Sequence, residues 1–140
     1  MLIRPFEPRD TEAVVVALWE SVGLKRPWND PHKDIQRKAA VQPELFLVAE
    51  DDSGRIVGSV MAGYEGHRGW MNYLATACEV RESGVGRALV AHVERALEAL
   101  GCPKLSLQVR SSNTDVLRFY AHLGYSVDDT VSLGKRLIHD

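Results

Sequence analysis

A short glycine-containing segment near the middle of the chain has residue types suited to binding phosphate. A predicted strand, Trp70–Thr76, precedes it and a long predicted helix follows it directly; between them the segment reads Arg81, Glu82, Ser83, Gly84, Val85 and Gly86. The first amides of a helix have no intrahelical acceptor, and the helix dipole adds partial positive charge there. Glycines let the backbone approach a ligand closely. This spacing predicts an anion site of the kind that holds a pyrophosphate.

The segment alone is also compatible with a plain strand-to-helix connection or with a generic nucleotide-binding loop. A dinucleotide fingerprint needs a third glycine three residues after Gly86, where the chain has Leu89. A P-loop needs Gly-Lys followed by Ser or Thr, and the Gly134-Lys135 pair is followed by Arg136. Spacing therefore excludes both of these nucleotide motifs.

A second segment, further along the chain, combines a helix cap with an aromatic side chain. Asn113 or Thr114 is a suitable N-cap, and Gly124 is a suitable helix end. Tyr120 lies on the apolar face of the helix between them. It is compatible with a core tyrosine whose hydroxyl has a buried partner, and equally with a positioned proton donor.

Together, these segments resemble the GNAT superfamily of N-acetyltransferases. Arg81-x-x-Gly84-x-Gly86 is similar to its motif A, and the run from Asn113 through Tyr120 to Leu123-Gly124-Tyr125 is similar to its motif B. Their order, and their separation by a helix and a strand, extend the resemblance over essentially the whole chain. Stretches beginning at Arg26, Gly66 and Ser132 further resemble the small bacterial YpeA-type members of that superfamily.

The resemblance implies direct transfer of an acetyl group from acetyl-CoA, as co-substrate, to a primary amine of a small molecule, peptide or protein. Tyr120 would be the general acid that protonates the departing thiolate. A backbone N–H of the fourth strand would polarise the thioester carbonyl. The implied acetyl-CoA contacts are Leu74, Ala75, Thr76, Arg81, Glu82, Ser83, Gly84, Val85, Gly86, Asn113 and Tyr120.

Among the positions that depart from the family pattern, two bear on binding and catalysis. Glu82 stands where many relatives have glycine, and Trp70 stands where many have a carboxylate base. Glu65 and His67 are the nearest replacement bases, and Trp28 is a candidate acceptor contact; each is also compatible with an ordinary loop or surface role. The departures keep open an alternative function, a non-catalytic acyl-CoA-binding sensor or partner module.

Composition limits the remaining choices. The chain has 140 residues, 45% of them hydrophobic, and a formal net charge of −2, which is typical of one globular domain spanning residues 1–140. No basic stripe favours nucleic acid, no His/Cys motif favours a metal, and no apolar run favours a membrane. We expect a cytoplasmic protein with Cys78 and Cys102 as buried thiols, and the resemblance adds the expectation of a homodimer.

Hydrophobic periodicity predicts a mixed sheet flanked by helices, an α/β (α+β) fold. The resemblance adds a mostly antiparallel sheet, about four helices and a V-shaped split between the fourth and fifth strands. The predicted helices begin near Thr11, Pro31, Gly86 and Asn113. The predicted strands are Leu2–Phe6, Leu45–Glu50, Arg55–Ala62, Trp70–Thr76, Leu105–Val109, and two short ones near Tyr125–Asp128 and Val131–Leu137.

Overall fold

The computed structural model describes all 140 residues of the chain. They form two compact units, one of residues 1–107 together with Asp140 and the other of residues 108–139. The single domain expected from composition stays a prediction.

The first unit contains a five-stranded sheet and three α-helices. The strands are β1 (Leu2–Pro5), β2 (Phe46–Glu50), β3 (Ile56–Tyr64), β4 (Gly69–Thr76) and β5 (Leu105–Leu107), and the helices are α1 (Glu12–Ser21), α2 (Pro31–Lys38) and α3 (Val85–Ala99). The second unit contains one helix, α4 (Thr114–His122). None of these helices is both long and apolar enough to cross a membrane.

The sheet follows chain order from β1 to β5. Neighbouring strands are antiparallel except for β4 and β5, which are parallel. The parallel pairing ends at Met71 and Leu107, although β4 continues to Thr76. The far half of β4 therefore has an edge without a strand partner, which we call the open edge. The predicted fold class, a mixed and mostly antiparallel sheet split after its fourth strand, is confirmed.

Helix α3 packs against β2, β3 and β4 through an apolar stripe at helical spacing. Its buried residues are Val85, Leu89, Val90, Val93 and Leu97. The first two turns approach β3 so closely that a β-carbon on Gly58 would lie 2.9 Å from both Leu89 Cδ1 and Val85 Cγ1. The absence of a side chain at Gly58 therefore lets the start of α3 lie close to the sheet.

Helices α1 and α2 pack against each other, and α1 also contacts β3 and β4. The Asp30 side chain caps α2 by accepting a hydrogen bond from the His32 amide at 2.9 Å, with Pro31 at the first helical position, as predicted. Helix α1 has no side-chain cap, although Asp10 and Thr11 are both of residue types that often cap helices. Asp10 instead binds Arg4, since its carboxylate accepts two bonds from that guanidinium at 2.7 and 2.8 Å.

The two predicted C-terminal strands are absent, and β5 is shorter than predicted. Their apolar side chains alternate as in a strand, yet Val131, Leu133 and Leu137 are each at least 85% exposed. The sheet ends at β5, and no ladder satisfies the backbone of these segments. Cys78 is exposed and Cys102 is only partly buried, so the predicted burial of the two thiols is wrong; neither cysteine forms a disulfide.

The Arg4–Asp10 pair generates a prediction about stability. The hydrogen bond from Arg4 holds the pKa of the Asp10 carboxyl below its usual 3.8. Asp10 therefore stabilises the fold above that pH, and the contribution disappears as pH falls through the lower folded pKa. We expect Asp10→Asn to lower the free energy of unfolding at pH 7 by about 1–3 kcal/mol, because Arg4 loses a buried acceptor.

Urea denaturation of both proteins between pH 7 and pH 2.5 measures this effect, and the difference should shrink toward the acid end. Asp52→Asn, at a fully exposed carboxylate, is the matched control and should change little at any pH. A loss for Asp10→Asn of the same size throughout would mean that charge is not its cause.

Candidate functional site

The turn into α3 presents a row of backbone amides without acceptors. Arg81 and Ser83 amides bond to carbonyls of the preceding turn, and Ala88 begins the helical ladder by bonding to Gly84. The amides that have no hydrogen-bond acceptor in the protein are those of Glu82, Gly84, Val85, Gly86 and Arg87. A helix N-terminus with this many free donors is a site for an anion, and the geometry fits the predicted pyrophosphate site.

Backbone conformation explains the sequence of this turn. Glu82 and Gly84 both have positive φ, at 66° and 91°. Glycine adopts such angles without strain, whereas in any other residue they cost about 1–3 kcal/mol of conformational free energy. The family's usual glycine at the position of Glu82 therefore has a conformational reason, and this chain bears the strain there.

The charged side chains around the turn are exposed and can reach a bound ligand. Arg81 and Arg87 are exposed and make no hydrogen bond or ion pair within the protein. Glu82 is exposed as well, so its carboxylate has solvent in which to lie away from a bound anion. Two free guanidinium groups beside free amides favour a phosphate-bearing ligand.

Strand β4 contains an irregularity that sequence periodicity did not predict. Met61 pairs with Asn72 and Ser59 with Ala75, so a single β3 residue lies opposite two residues of β4, Tyr73 and Leu74. This is a β-bulge, a feature found often next to active sites. Tyr73 has φ 54°, in the left-handed region, which is strained for an aromatic residue.

The bulge changes the direction of the amides that follow it. The Gly69 amide bonds toward β5, to Lys104 O at 2.8 Å, whereas the Ala77 amide bonds toward β3, to Val57 O at 2.8 Å. These residues are eight apart, and in an uninterrupted strand their amides would point to the same side. Counting back from Ala77, the amides of Thr76 and Leu74 point to the open edge.

Four contacts hold the strained bulge residue. The Tyr73 ring stacks on Trp19 with centroids 3.9 Å apart and planes 10° apart. Its carbonyl accepts a hydrogen bond from Ser59 Oγ at 3.3 Å. Its hydroxyl donates to Asp34 Oδ2 at 2.6 Å and accepts from Asn29 Nδ2 at 2.8 Å. Burial raises the pKa of Tyr73, and the bond to Asp34 raises it further, so this hydroxyl keeps its proton at neutral pH.

The second unit holds the remaining predicted site residues. Asn113 caps α4 by accepting a bond from the Val116 amide at 3.4 Å, and Gly124, with φ 93°, follows the end of the helix. The Tyr120 ring is buried and packs edge-on against Phe119 and Tyr125. Burial raises the pKa of Tyr120, so its hydroxyl remains protonated well above neutral pH.

The Tyr120 hydroxyl has no hydrogen-bond partner within the protein. The structure contains no buried side-chain nitrogen or oxygen without a partner, so this hydroxyl must reach the solvent-accessible surface although the residue as a whole is buried. A core tyrosine satisfying a buried acceptor would show such an acceptor. The contacts therefore favour a hydroxyl that is free to act on a ligand.

Comparison with known proteins shows the family. Residues 12–125 match the Acetyltransferase (GNAT) family. The chain belongs to the GNAT acetyltransferase family. Proteins named acetyltransferase from Yersinia enterocolitica and Pectobacterium atrosepticum are 52% and 51% identical over the whole chain and 98% of their own lengths. The predictions of a GNAT acetyltransferase and of an enzyme are confirmed at the level of the family, which transfers acyl groups from acetyl-CoA.

Solved GNAT structures share the fold. Naa20 of Chaetomium thermophilum, crystallised with a bisubstrate analogue, is 28% identical, with a TM-score of 0.72 over 91% of this chain and 72% of that one. Glucosamine-6-phosphate N-acetyltransferase of Arabidopsis thaliana is 21% identical, with a TM-score of 0.69 over 98% of both chains. Both likenesses support the fold described above.

The predicted acceptor-side residues have different surroundings. Glu65 accepts hydrogen bonds from the amides of Arg68 and His67, and these bonds lower the pKa of its carboxyl. The Glu65 carboxylate is therefore a weaker base, and its hydrogen bonds stabilise the loop. His67 is exposed. Trp28 is 55% exposed, next to Asn29 and its contact with Tyr73. No group of three or more His, Cys, Asp or Glu side chains could hold a metal.

The amide row generates a prediction at Gly84. A β-carbon there would meet no protein atom within 4 Å, so Gly84→Ala adds only backbone strain and a methyl group in open space next to the free amides. We expect CoA affinity to fall at least tenfold, about 1.4 kcal/mol, with the fold retained. Isothermal titration calorimetry with CoA measures it.

Gly101→Ala is the matched control, since Gly101 has φ 83°, follows the other end of α3 and is equally uncrowded. It should lose similar stability and keep its CoA affinity. Equal CoA affinities for wild type and Gly84→Ala would show that the pyrophosphate is bound elsewhere.

Proposed function

We propose that this protein transfers the acetyl group of acetyl-CoA to a primary amine by direct attack. The observation that carries the proposal is that free amides at the α3 N-terminus and the open, bulged edge of β4 are parts of one continuous chain segment. A ligand with a pyrophosphate at one end and a carbonyl at the other fits this pair of donor groups.

In this proposal, the free amides at the α3 N-terminus, those of Glu82 and of Gly84 to Arg87, bind the pyrophosphate, and the Arg81 guanidinium adds charge. The thioester lies along the open edge of β4, where the backbone donors have no strand to pair with. Ala75 lies between the two open-edge donors, Ser83 lies within the turn, and Asn113 contributes by capping α4. Acetyl-CoA supplies the activated acyl group.

The amine nitrogen attacks the thioester carbonyl carbon, and the carbonyl oxygen acquires negative charge. Amides of Leu74 and Thr76 donate to that oxygen and stabilise the tetrahedral intermediate. The carbon–sulphur bond then breaks, the sulphur takes a proton from the Tyr120 hydroxyl, and the new amide nitrogen loses its proton to water. Solvent then returns a proton to the Tyr120 phenolate, which restores the acid. Because the raised pKa makes Tyr120 a weak acid, its contribution belongs at the low end of the general-acid range, about 10².

We infer a small-molecule or peptide amine as the acceptor, with Trp28 and His67 as acceptor contacts. The relatives' names leave the acceptor class open. Cytoplasmic location and a homodimer stay predictions for this chain.

Binding of the co-substrate is the first test. Acetyl-CoA at a hundred times its Kd should stabilise the protein by about 2.7 kcal/mol, because it binds the folded state alone. Differential scanning fluorimetry would detect the rise in Tm, with adenosine as the matched ligand lacking pyrophosphate. An unchanged Tm at millimolar acetyl-CoA, together with no heat of binding, would refute the proposal.

Tyr120→Phe is the second test. It keeps the ring packing and removes the proton donor, so we expect normal folding and CoA affinity with turnover lowered at least about tenfold. Because burial raises the Tyr120 pKa, wild-type kcat should not decline on the alkaline side below about pH 10. The assay follows thiol release with an amine library or, without an acceptor, acetyl-CoA hydrolysis.

Tyr64→Phe is the control, because its hydroxyl bonds only to the nearby Gly66 carbonyl on the surface. Unchanged turnover in well-folded Tyr120→Phe would remove Tyr120 from the reaction. Poor folding without a specific loss of rate would instead assign it to the core.

A further inference from the structure

We propose that Ser59 and Asp34 are positioning residues for acetyl transfer, because together they hold the β4 bulge in the conformation that aims the Leu74 amide at the open edge. The inference rests on the proposed function, since it concerns the backbone donor assigned there to the thioester carbonyl. Neither residue touches the reacting atoms; both act through Tyr73.

Ser59 determines the direction of the Leu74 amide through peptide planarity. The carbonyl of Tyr73 and the amide of Leu74 belong to one trans peptide, so they point in opposite directions. Ser59 Oγ lies on β3 and donates to that carbonyl at 3.3 Å. Holding the carbonyl toward β3 therefore turns the Leu74 N–H away from β3, toward the edge where no strand is paired.

The Ser59 hydroxyl is itself oriented. It is completely buried, and it accepts a hydrogen bond from Trp19 Nε1 at 2.8 Å. Because the indole supplies the donor, the hydroxyl proton is left for the Tyr73 carbonyl. Trp19 is also completely buried, and the same indole stacks on the Tyr73 ring. One side chain of α1 thus restrains the bulge residue twice.

Asp34 restrains the far end of the same side chain. Its Oδ2 accepts from the Tyr73 hydroxyl at 2.6 Å and from Asn29 Nδ2 at 2.5 Å, while Oδ1 accepts from Arg37 at 3.1 Å. Asp34 lies on α2, whose start is also bound by Asp140, which accepts from the Asp30 amide at 2.9 Å. The Tyr73 side chain is therefore tied to β3 and α1 near its backbone and to α2 at its tip.

A left-handed aromatic residue persists only where its surroundings over-determine it. Removing one restraint should let φ of Tyr73 relax toward negative values, which rotates the following peptide and misdirects the Leu74 amide. Misplacing a catalytic donor by about 1 Å can cost about 10²-fold in rate. The free amides at the α3 N-terminus follow the bulge in the chain, and their conformation should be unaffected.

The first experiment compares wild type with Ser59→Ala and Tyr73→Phe, which remove the two restraints separately. We expect kcat to fall about 10- to 100-fold in each, with the Kd for CoA unchanged. The difference between the Kd for acetyl-CoA and the Kd for CoA should become smaller in both variants. If Ser59→Ala folds poorly because the Trp19 donor loses its acceptor, Tyr73→Phe still tests the proposal.

A spectroscopic readout separates positioning from general stability. In wild type, the ¹⁵N-labelled Leu74 amide should shift more with acetyl-CoA than with CoA, whereas in both variants the two ligands should give the same shift. Stability lost without a change in kcat or in this amide would overturn the proposal. So would a kcat within threefold of wild type in the folded variants.

A conservative series tests Asp34. Asp34→Asn keeps an oxygen for the Tyr73 hydroxyl and should retain most of kcat, whereas Asp34→Ala should behave like Tyr73→Phe. Arg37→Ala, the matched control, removes the ion pairs of Arg37 with Asp34 and Asp140 without touching Tyr73 and should keep kcat. An equal loss in Arg37→Ala would assign the effect to the charge of α2 and overturn the role of Asp34.

The two proposals fail in different ways. Wild-type protein that neither binds acetyl-CoA nor releases thiol from it would refute the proposed function. An active wild type whose Ser59→Ala and Tyr73→Phe variants are equally active would leave that function standing and refute the positioning role.

Discussion

One extra residue between Asn72 and Ala75 determines how the rest of the site is built. It reverses the side of β4 to which the following amides point. Amides that would otherwise pair with β3 therefore face the edge that β5 leaves open. A strand interior normally uses all its donors in ladders, and a ligand finds none available. Here the bulge and the early end of the β4–β5 pairing together free donors in the middle of the sheet.

The sheet keeps this irregularity because both of its faces are occupied by helices with different roles. Helix α3 lies against β3 at the distance that Gly58 permits, and its N-terminus brings the free amides that suit an anion. Helices α1 and α2 supply Trp19 and Asp34, which hold Tyr73 in its left-handed conformation. One set of contacts thus builds a binding surface, and the other maintains a strained backbone beside it.

The polar groups of the first unit show how buried hydrogen bonds specify a conformation. Ser59 and Trp19 have every polar atom satisfied although both are completely buried, and no buried side-chain nitrogen or oxygen lacks a partner. A satisfied buried network resists rearrangement, because any alternative leaves a donor or acceptor unpaired. Such a network suits a site whose function depends on the direction of one amide.

Local patterns in the sequence determined much of this protein. The apolar stripe of α3, the Asp30-Pro31 start of α2 and the glycine turn before Val85 all act over a few residues, so spacing and residue type were enough to predict them. Family resemblance added the split sheet and the roles expected of Gly84 and Tyr120.

The tertiary structure decided what depends on distant partners. The bulge at Tyr73 follows from contacts with residues 39 to 54 positions away in the chain, Asp34 and Trp19 among them, which no local period encodes. Asp10 binds the Arg4 guanidinium and the Glu7 amide and leaves the start of α1 without a side-chain cap. Val131 and Leu133 alternate like a strand, yet they form none, because a strand needs a neighbour to satisfy its backbone and sequence alone does not supply one.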